Sequence, residues 1–292
     1  AMGQAKRAGK DFVLINGGEL GTTCARVGCM PSKALIQVAH DLHRREVFGR
    51  EGIEGGDTLS ASLPDTLEHV RDMRDILVDR VLGHTTDQMG DEFIDGYARF
   101  IEPGVLQVGE DTIRAASIVV ACGTRPAVPP AWVDFGERIL TSDTIFEQED
   151  LPDAIAVVGL GVIGLEIGQA LAHLGVSVTG IDRLDTIAGL RDPDARRSAI
   201  ELMERAFPIW LGHEVELFED EGRIRVSAGE QAVVVDKVLA AMGRQSNLDW
   251  LAIENAGIEL DTRGVPVFDK NTMRCGDSRV FIAGDISGGD QI

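Results

Sequence analysis

The sequence predicts an α/β protein with two units built on parallel sheets, the first of them lacking its first strand, and a dinucleotide-binding turn in the second. Three observations carry that expectation. Apolar runs of strand length recur at 11–15, 118–122, 154–158 and 176–181, each followed by Asn, Gly or Asp. One of these runs leads into Gly159-Leu160-Gly161-Val162-Ile163-Gly164 and then into a helical stretch, the context in which such glycines meet a dinucleotide. An apolar content of 44% with 34 glycines suits alternating strands and helices joined by many tight turns.

At 292 residues the chain is long enough for two domains with their own cores. Its formal charge of −20 argues against nucleic acid or an anionic membrane as partner, since both attract basic surfaces. No apolar run approaches the roughly 20 residues that span a bilayer. The first residues lack a charged-then-apolar leader pattern, so the expected compartment is cytoplasmic. Four cysteines fit a reducing compartment, where a disulfide is more often catalytic than structural.

Taken in order, residues 1–10 read as the tail of a helix stopping at Gly9, and 11–15 as the buried strand it feeds, ending at Asn16-Gly17-Gly18. A helix feeding a parallel strand is half a βαβ unit whose first strand would precede Ala1. Leu67, Val70, Met73, Leu77, Val81 and Leu82 define one long amphipathic helix over 65–90. Short antiparallel strands are expected at 97–100 and 105–108. The run 118–122 is a strand halted at Gly123, and Pro126, Pro129 and Pro130 mark an extended crossing segment. The acidic stretch 143–153 reads as a linker. A second α/β unit starts at Ile155 and closes near Lys270, after which 280–285 returns as a strand. The expected domains are therefore 1–150 with 270–292, and an inserted domain at 151–269.

In the inserted domain, strand 154–158, the glycine turn, helix 165–174 and strand 176–181 lead to Asp182, about 20 residues beyond the glycines. There an acid can bind a ribose 2′-hydroxyl and repel a 2′-phosphate, which favours NAD. Arg183 beside it keeps NADP possible. Gly159, Gly161 and Gly164 would let the backbone approach a pyrophosphate at a helix N-terminus.

Cys24 and Cys29, followed at once by Pro31-Ser32-Lys33, point to a redox pair. In a regular helix, residues five apart rise by about 7.5 Å, beyond the roughly 4.4–6.8 Å that a disulfide tolerates between Cα atoms. Bridging them needs a distorted turn, which Gly28 could supply. Two other readings stand beside this one: a metal site, for which no second ligand pair lies at short spacing, and two unbridged buried thiols.

The segment Gly21-Thr-Thr-Cys24-x4-Cys29-Met-Pro-Ser-Lys33 resembles the active-site segment of the flavin-dependent pyridine nucleotide-disulfide oxidoreductases, most closely the dihydrolipoamide dehydrogenase type. The resemblance implies two Rossmann-like domains of three-layer ββα type, binding FAD and NAD(P). It implies that Cys24 is the thiol exchanging with substrate and Cys29 the thiol facing the flavin, paired as a disulfide. Lys33 would lie near the flavin and Glu166 would be its ion-pair partner, although Glu166 alone reads equally as a first-turn helix acid. For the flavin it implies Asn16, where the family usually has an acid, together with Thr23, Ala98, Gly123 and Asp285. For NAD it implies Val215 and Gly243, the latter in Gly243-Arg-x-x-Asn247. Cys122 and Cys275 are expected to be small buried residues.

Two pieces of the family pattern are not in the sequence: the first Rossmann strand with its FAD glycine motif, and the C-terminal interface domain whose His-Glu pair serves the partner subunit. None of the six histidines lies in a matching motif. The expectation is an incomplete chain, weakly active or inactive by itself, from a homodimeric enzyme. That enzyme would pass electrons between a small-molecule or lipoyl-type dithiol, the cysteine pair, FAD and NAD. The alternatives are mercuric reductase or another NAD(P)H-dependent reductase of the same family, and a non-catalytic nucleotide-binding module. No resident metal is expected.

Overall fold

The computed structural model describes residues 2–288. They group into two compact units. One comprises the chain up to Thr22, Val78–Arg125 and the chain from Gln245 onward; the other comprises Thr23–Leu77 and Pro126–Arg244. This grouping differs from the expected boundaries. Residues 23–77 cluster with the glycine-turn segment because Leu35, Ala39, Leu67 and Val70 belong to the same buried cluster as Ile155, Val157 and Leu171. The division by cofactor is a separate matter and remains a proposal.

In the second unit a five-stranded, wholly parallel sheet runs in the order Ile209–Leu211, Ser177–Asp182, Ala154–Val158, Lys237–Ala240, Ile139–Leu140. Side chains alternate across a strand, so each strand supplies two faces. Ile155, Val157, Val178 and Leu239 join Ile167, Ala170 and Leu171 of helix Val162–His173 on one face. Ala156, Val158, Ile181, Val238 and Ala240 join Ile224, Val226 and Val235 on the other. The latter three come from an antiparallel sheet of Val215–Asp220, Arg223–Ala228 and Gln231–Val235. Helices, parallel sheet and antiparallel sheet make the three-layer ββα arrangement. Burial on both faces explains why these central strands read as unbroken apolar runs.

In the first unit, Leu14–Asn16 pairs in parallel with Phe93–Asp95, and Ile118–Val120 with Val280–Ile282. Ala98–Glu102, Val105–Val108 and Asp111–Arg114 form an antiparallel meander with a bulge at Phe100–Glu102. Phe100, Ile118, Val120, Leu248, Val280, Ile282 and Ile286 fill the core of this unit.

Several expectations need correction. The acidic stretch 143–153 is not a linker: Ile145, Phe146 and Leu151 are 0%, 1% and 6% exposed, while Glu147, Glu149, Asp150 and Asp153 lie exposed around that apolar anchor. The long helix is Leu63–Gly83; the remaining residues fold into 3-10 turns at Thr86–Gln88 and Gly90–Glu92. After the extended Pro129, the proline-rich crossing segment tightens into 3-10 turns over Pro130–Arg138 and buries Trp132. The first helix is Met2–Arg7 and the first strand Leu14–Asn16.

Candidate functional site

Cys24 lies in a one-turn helix, Thr23–Arg26, and Cys29 is the first residue of helix Cys29–His43. Cys24 is exposed and Cys29 half-buried. Between them Gly28 packs closely on the preceding turn: a Cβ there would sit 3.1 Å from the Thr23 carbonyl oxygen and 3.2 Å from the Cys24 Cα. Any larger residue would push the two cysteine-bearing turns apart. Pro31 falls in the first turn of the helix, where its missing N–H has no intrahelical acceptor to lose. The Ser32 hydroxyl donates to the Cys29 carbonyl at 3.1 Å, and the Ser32 N–H donates to the Gly28 carbonyl at 3.2 Å. These bonds pin the start of the helix.

One turn on, Lys33 Nζ donates to both carboxylate oxygens of Glu166, each at 2.7 Å. Glu166 belongs to helix Val162–His173, which packs against Cys29–His43. The pair is the one expected from the sequence, although the residues are 133 positions apart. With side chains 55% and 37% exposed, it contributes at most about 1 kcal/mol to stability. Its geometry therefore matters for charge placement more than for folding.

The glycine turn divides its labour. Gly159 has φ +97°, and a Cβ there would collide with the Ala241 carbonyl; one at Gly164 would collide with the Gly159 carbonyl. Gly161, the N-cap of the helix, has nothing within 4 Å of its Cβ position. Two glycines are thus occupied by packing. The third leaves open space before a helix N-terminus whose first-turn N–H groups lack intrahelical acceptors.

Asp182 ends the second strand of this motif. Its carboxylate accepts the Leu160 N–H at 2.6 Å and the Leu184 N–H at 2.9 Å, clamping the glycine turn to the next loop. Leu160 is buried, so Asp182→Ala should lower stability by about 1–3 kcal/mol by stranding the Leu160 N–H. Chemical denaturation would measure it. Gly243 and Val215 also belong to this unit, Gly243 just past strand Lys237–Ala240 and Val215 opening the antiparallel sheet. Arg183 is exposed.

The remaining cofactor candidates, except Thr23, lie in the first unit: Asn16, Ala98, Gly123 and Asp285. Asn16 ends strand Leu14–Asn16, Gly123 follows Ile118–Val120, and Asp285 follows Val280–Ile282. All three therefore sit just past the carboxyl ends of parallel strands, where open α/β sheets hold ligands. Ala98 comes shortly after Phe93–Asp95. Asn16 Nδ2 donates to the Gly18 carbonyl at 2.6 Å.

Asn247 and Arg244 belong to the Gly243-Arg-x-x-Asn247 motif, whereas their partners Arg125, Ser142 and Asp143 have no motif to reveal them. Asn247 donates from its side chain to the Cys122 carbonyl at 3.0 Å and from its backbone to the Gly123 carbonyl at 3.1 Å; Arg125 donates to Asn247 Oδ1 at 3.0 Å. Together they fix the Gly123 turn. Arg244 donates to Ser142 Oγ at 3.1 Å and pairs with Asp143 at 3.3 Å. Cys122 is exposed rather than buried, yet the protein around its thiol pushes it up to about 11, so it stays protonated at neutral pH. Cys275 is buried as expected, which also raises its thiol. Among the described residues no group of three or more His, Cys, Asp or Glu could hold a metal ion, and no helix is long and apolar enough to cross a membrane.

A dithiol motif at a helix start, a lysine–carboxylate pair beside it and an open glycine turn in a ββα unit define a class of nucleotide-dependent redox proteins. Comparison with known proteins narrows the class: residues 1–291 match the family described as pyridine nucleotide-disulphide oxidoreductase, and the chain belongs to that family. It is 29% identical to mercuric reductase of Staphylococcus aureus, covering 99% of this chain and 53% of that protein. It is 29% identical to the soluble pyridine nucleotide transhydrogenase of Mycobacterium bovis, covering 97% and 62%. It is 30% identical to dihydrolipoyl dehydrogenase 2 of Haloarcula marismortui, covering 96% and 61%. The fold is similar to that of the HOCl-induced flavoprotein disulfide reductase RclA from Escherichia coli, with a TM-score of 0.84 over 99% of this chain and 63% of that one, at 24% identity. The chain thus spans only 53% to 62% of the length of these curated relatives.

Proposed function

We propose that this chain is the redox portion of a flavin-dependent disulfide oxidoreductase of the dihydrolipoamide dehydrogenase type. The observation that carries the reading is the cysteine pair at the start of the helix whose Lys33 meets Glu166 of the glycine-turn helix. FAD would be held by Asn16, Thr23, Lys33, Ala98, Gly123 and Asp285. NAD would be held by Gly159, Gly161, Gly164, Asp182, Val215 and Gly243. NAD is preferred because the Asp182 carboxylate repels a 2′-phosphate; exposed Arg183 leaves NADP open as the second choice. When bound, the flavin supplies the two-electron link between the cysteines and the nicotinamide.

The chain's own chemistry is thiol–disulfide exchange. One thiolate of a small-molecule or lipoyl-type dithiol attacks Cys24 Sγ of the oxidised pair, breaking the Sγ–Sγ bond and releasing Cys29 as thiolate. The second substrate thiolate then attacks the substrate sulfur bonded to Cys24 and expels Cys24. The substrate leaves as a disulfide, and the protein holds two electrons as two reduced cysteines. Exposed Cys24 suits the exchanging role, and half-buried Cys29 the inward one. Lys33 keeps a positive charge one turn from Cys29, and Glu166 fixes where that charge sits.

The similarity to mercuric reductase supports a second reading, a reductase of the same family that passes electrons outward from NAD(P)H. We assign the whole protein to a cytoplasmic homodimer, on the family resemblance. The test is an absorbance spectrum of the purified chain before and after anaerobic dihydrolipoamide. The expected result is a flavin band that gains a long-wavelength thiolate–flavin charge-transfer feature; a flavin band without that feature on reduction would overturn the reading, and a colourless protein would restrict it to the NAD-binding part of this chain. Lys33→Met should lower turnover of the flavin-loaded protein by about 10²-fold. Its stability should change by no more than about 1 kcal/mol. Steady-state rates and thermal melting, run side by side, check that split.

A further inference from the structure

The starts of helices Cys29–His43 and Val162–His173 are joined by Lys33 and Glu166, and their ends are joined by something the redox reading does not use. His43 and His173, each the last residue of its helix, stack face to face with ring centroids 3.8 Å apart and planes within 1° of parallel. His43 Nδ1 lies 3.3 Å from Glu46 Oε1 of the next helix, Arg45–Glu51. We propose that this stacked pair is an acid-sensitive joint. It holds the ends of the two helices together while at most one ring carries a proton, and releases them when the second ring is protonated.

The argument is electrostatic and steric. Flat rings at van der Waals separation attract when one or both are neutral. Two cationic rings at the same separation repel, with little room for water between them. A first proton is accommodated: Glu46 offers a carboxylate to His43, and both rings lie at helix C-termini, where the macrodipole favours a cation. Among the described residues no carboxylate forms an ion pair with His173, so a second proton lacks the direct partner that His43 has. The titratable and charged groups facing His173 are His43 and His40 of the cysteine helix and Glu46 of the following one. Burial, then the charge of His43, hold His173 below the ordinary histidine range; Glu46 opposes this and His40 adds to it.

The sign follows from linkage. A histidine whose folded value lies below its unfolded value of about 6.5 takes up protons more readily when unfolded. The contribution of His173 is therefore intact above that value and is lost as pH falls through it toward the folded value. The inference concerns packing and does not depend on which substrate the cysteines serve.

The experiment is amide hydrogen exchange and thermal melting of the full chain between pH 7.5 and 5, with imidazole titrations by NMR. Protection at 170–174 and 39–43, corrected for intrinsic exchange, should fall by about tenfold for each unit by which His173 is displaced. His173→Phe keeps a flat ring on His43 but cannot become the second cation, so it should flatten this acid-dependent loss. His43→Gln should move the His173 titration upward, toward the ordinary value. If His173→Phe loses protection with the same pH profile as the wild type, or if His173 titrates alike with and without His43, the joint does not exist. Should His173→Phe prove unstable at neutral pH, the His43→Gln titration decides the matter alone.

Discussion

On the proposed function, replacing either Cys24 or Cys29 with serine should lower dithiol turnover of the whole protein by at least about a thousandfold, because each sulfur would take part in bonds that oxygen cannot replace in the exchange. The two variants should fail differently. With Cys24→Ser the exposed attacking position is lost, and the remaining Cys29 is half-buried. With Cys29→Ser, Cys24 remains able to capture a substrate sulfur and should accumulate as a stable mixed disulfide, visible as added mass. A thiol count adds a measurement that needs no flavin. Oxidation of the wild-type chain should remove two titratable thiols and reduction restore them, whereas neither single variant should show that paired change. Cys122 is exposed and Cys275 buried, so the result is read as the difference between the oxidised and reduced counts of the same chain. An unchanged count on oxidation would remove the redox pair and with it the proposed activity.

Features with a local cause were legible in the sequence. Strands Ala154–Val158 and Val105–Val108 lie where the apolar patterns put them, and strand Ser177–Asp182 and helix Val162–His173 differ by a few residues at their ends. The Lys33–Glu166 contact was reached through family resemblance, since no local pattern joins residues 133 apart. What was missed depends on tertiary partners. Residues 143–153 looked like a linker because acids dominate the count, but two adjacent apolar residues, Ile145 and Phe146, decide the burial. The family resemblance implies the antiparallel layer of the ββα unit, and Arg223-Ile224-Arg225-Val226 carries its strand alternation, exposed and buried in turn. Helix Cys29–His43 packs on Val162–His173, and no sequence window contains both.

The glycines of the turn should separate folding from binding. Gly159→Ala places a Cβ 2.6 Å from the Ala241 carbonyl carbon and 2.9 Å from the Met242 nitrogen, at a φ of +97°. Both neighbours are backbone, so neither can rotate away. A Cβ at Gly164 meets the Gly159 carbonyl itself, and the helix must lift off the strand end to admit it. Each variant should lose about 3–5 kcal/mol, the sum of overpacking and left-handed strain for Gly159 and severe overpacking for Gly164. Either change is large against the few kcal/mol by which a domain is stable, and denaturant midpoints should record it. Gly161→Ala is the contrasting case. Its φ of −69° suits alanine, and its Cβ would point into open space. Stability should drop by no more than about 1 kcal/mol, the difference between glycine and alanine at an N-cap. Yet that methyl would occupy the path by which a pyrophosphate reaches the helix N-terminus, so NADH affinity should weaken by at least about tenfold. Calorimetric titration with NADH, on variants already shown to be folded, reads the effect. Gly161→Ala binding NADH as tightly as the wild type would mean that the open space before this helix is not where the dinucleotide lies.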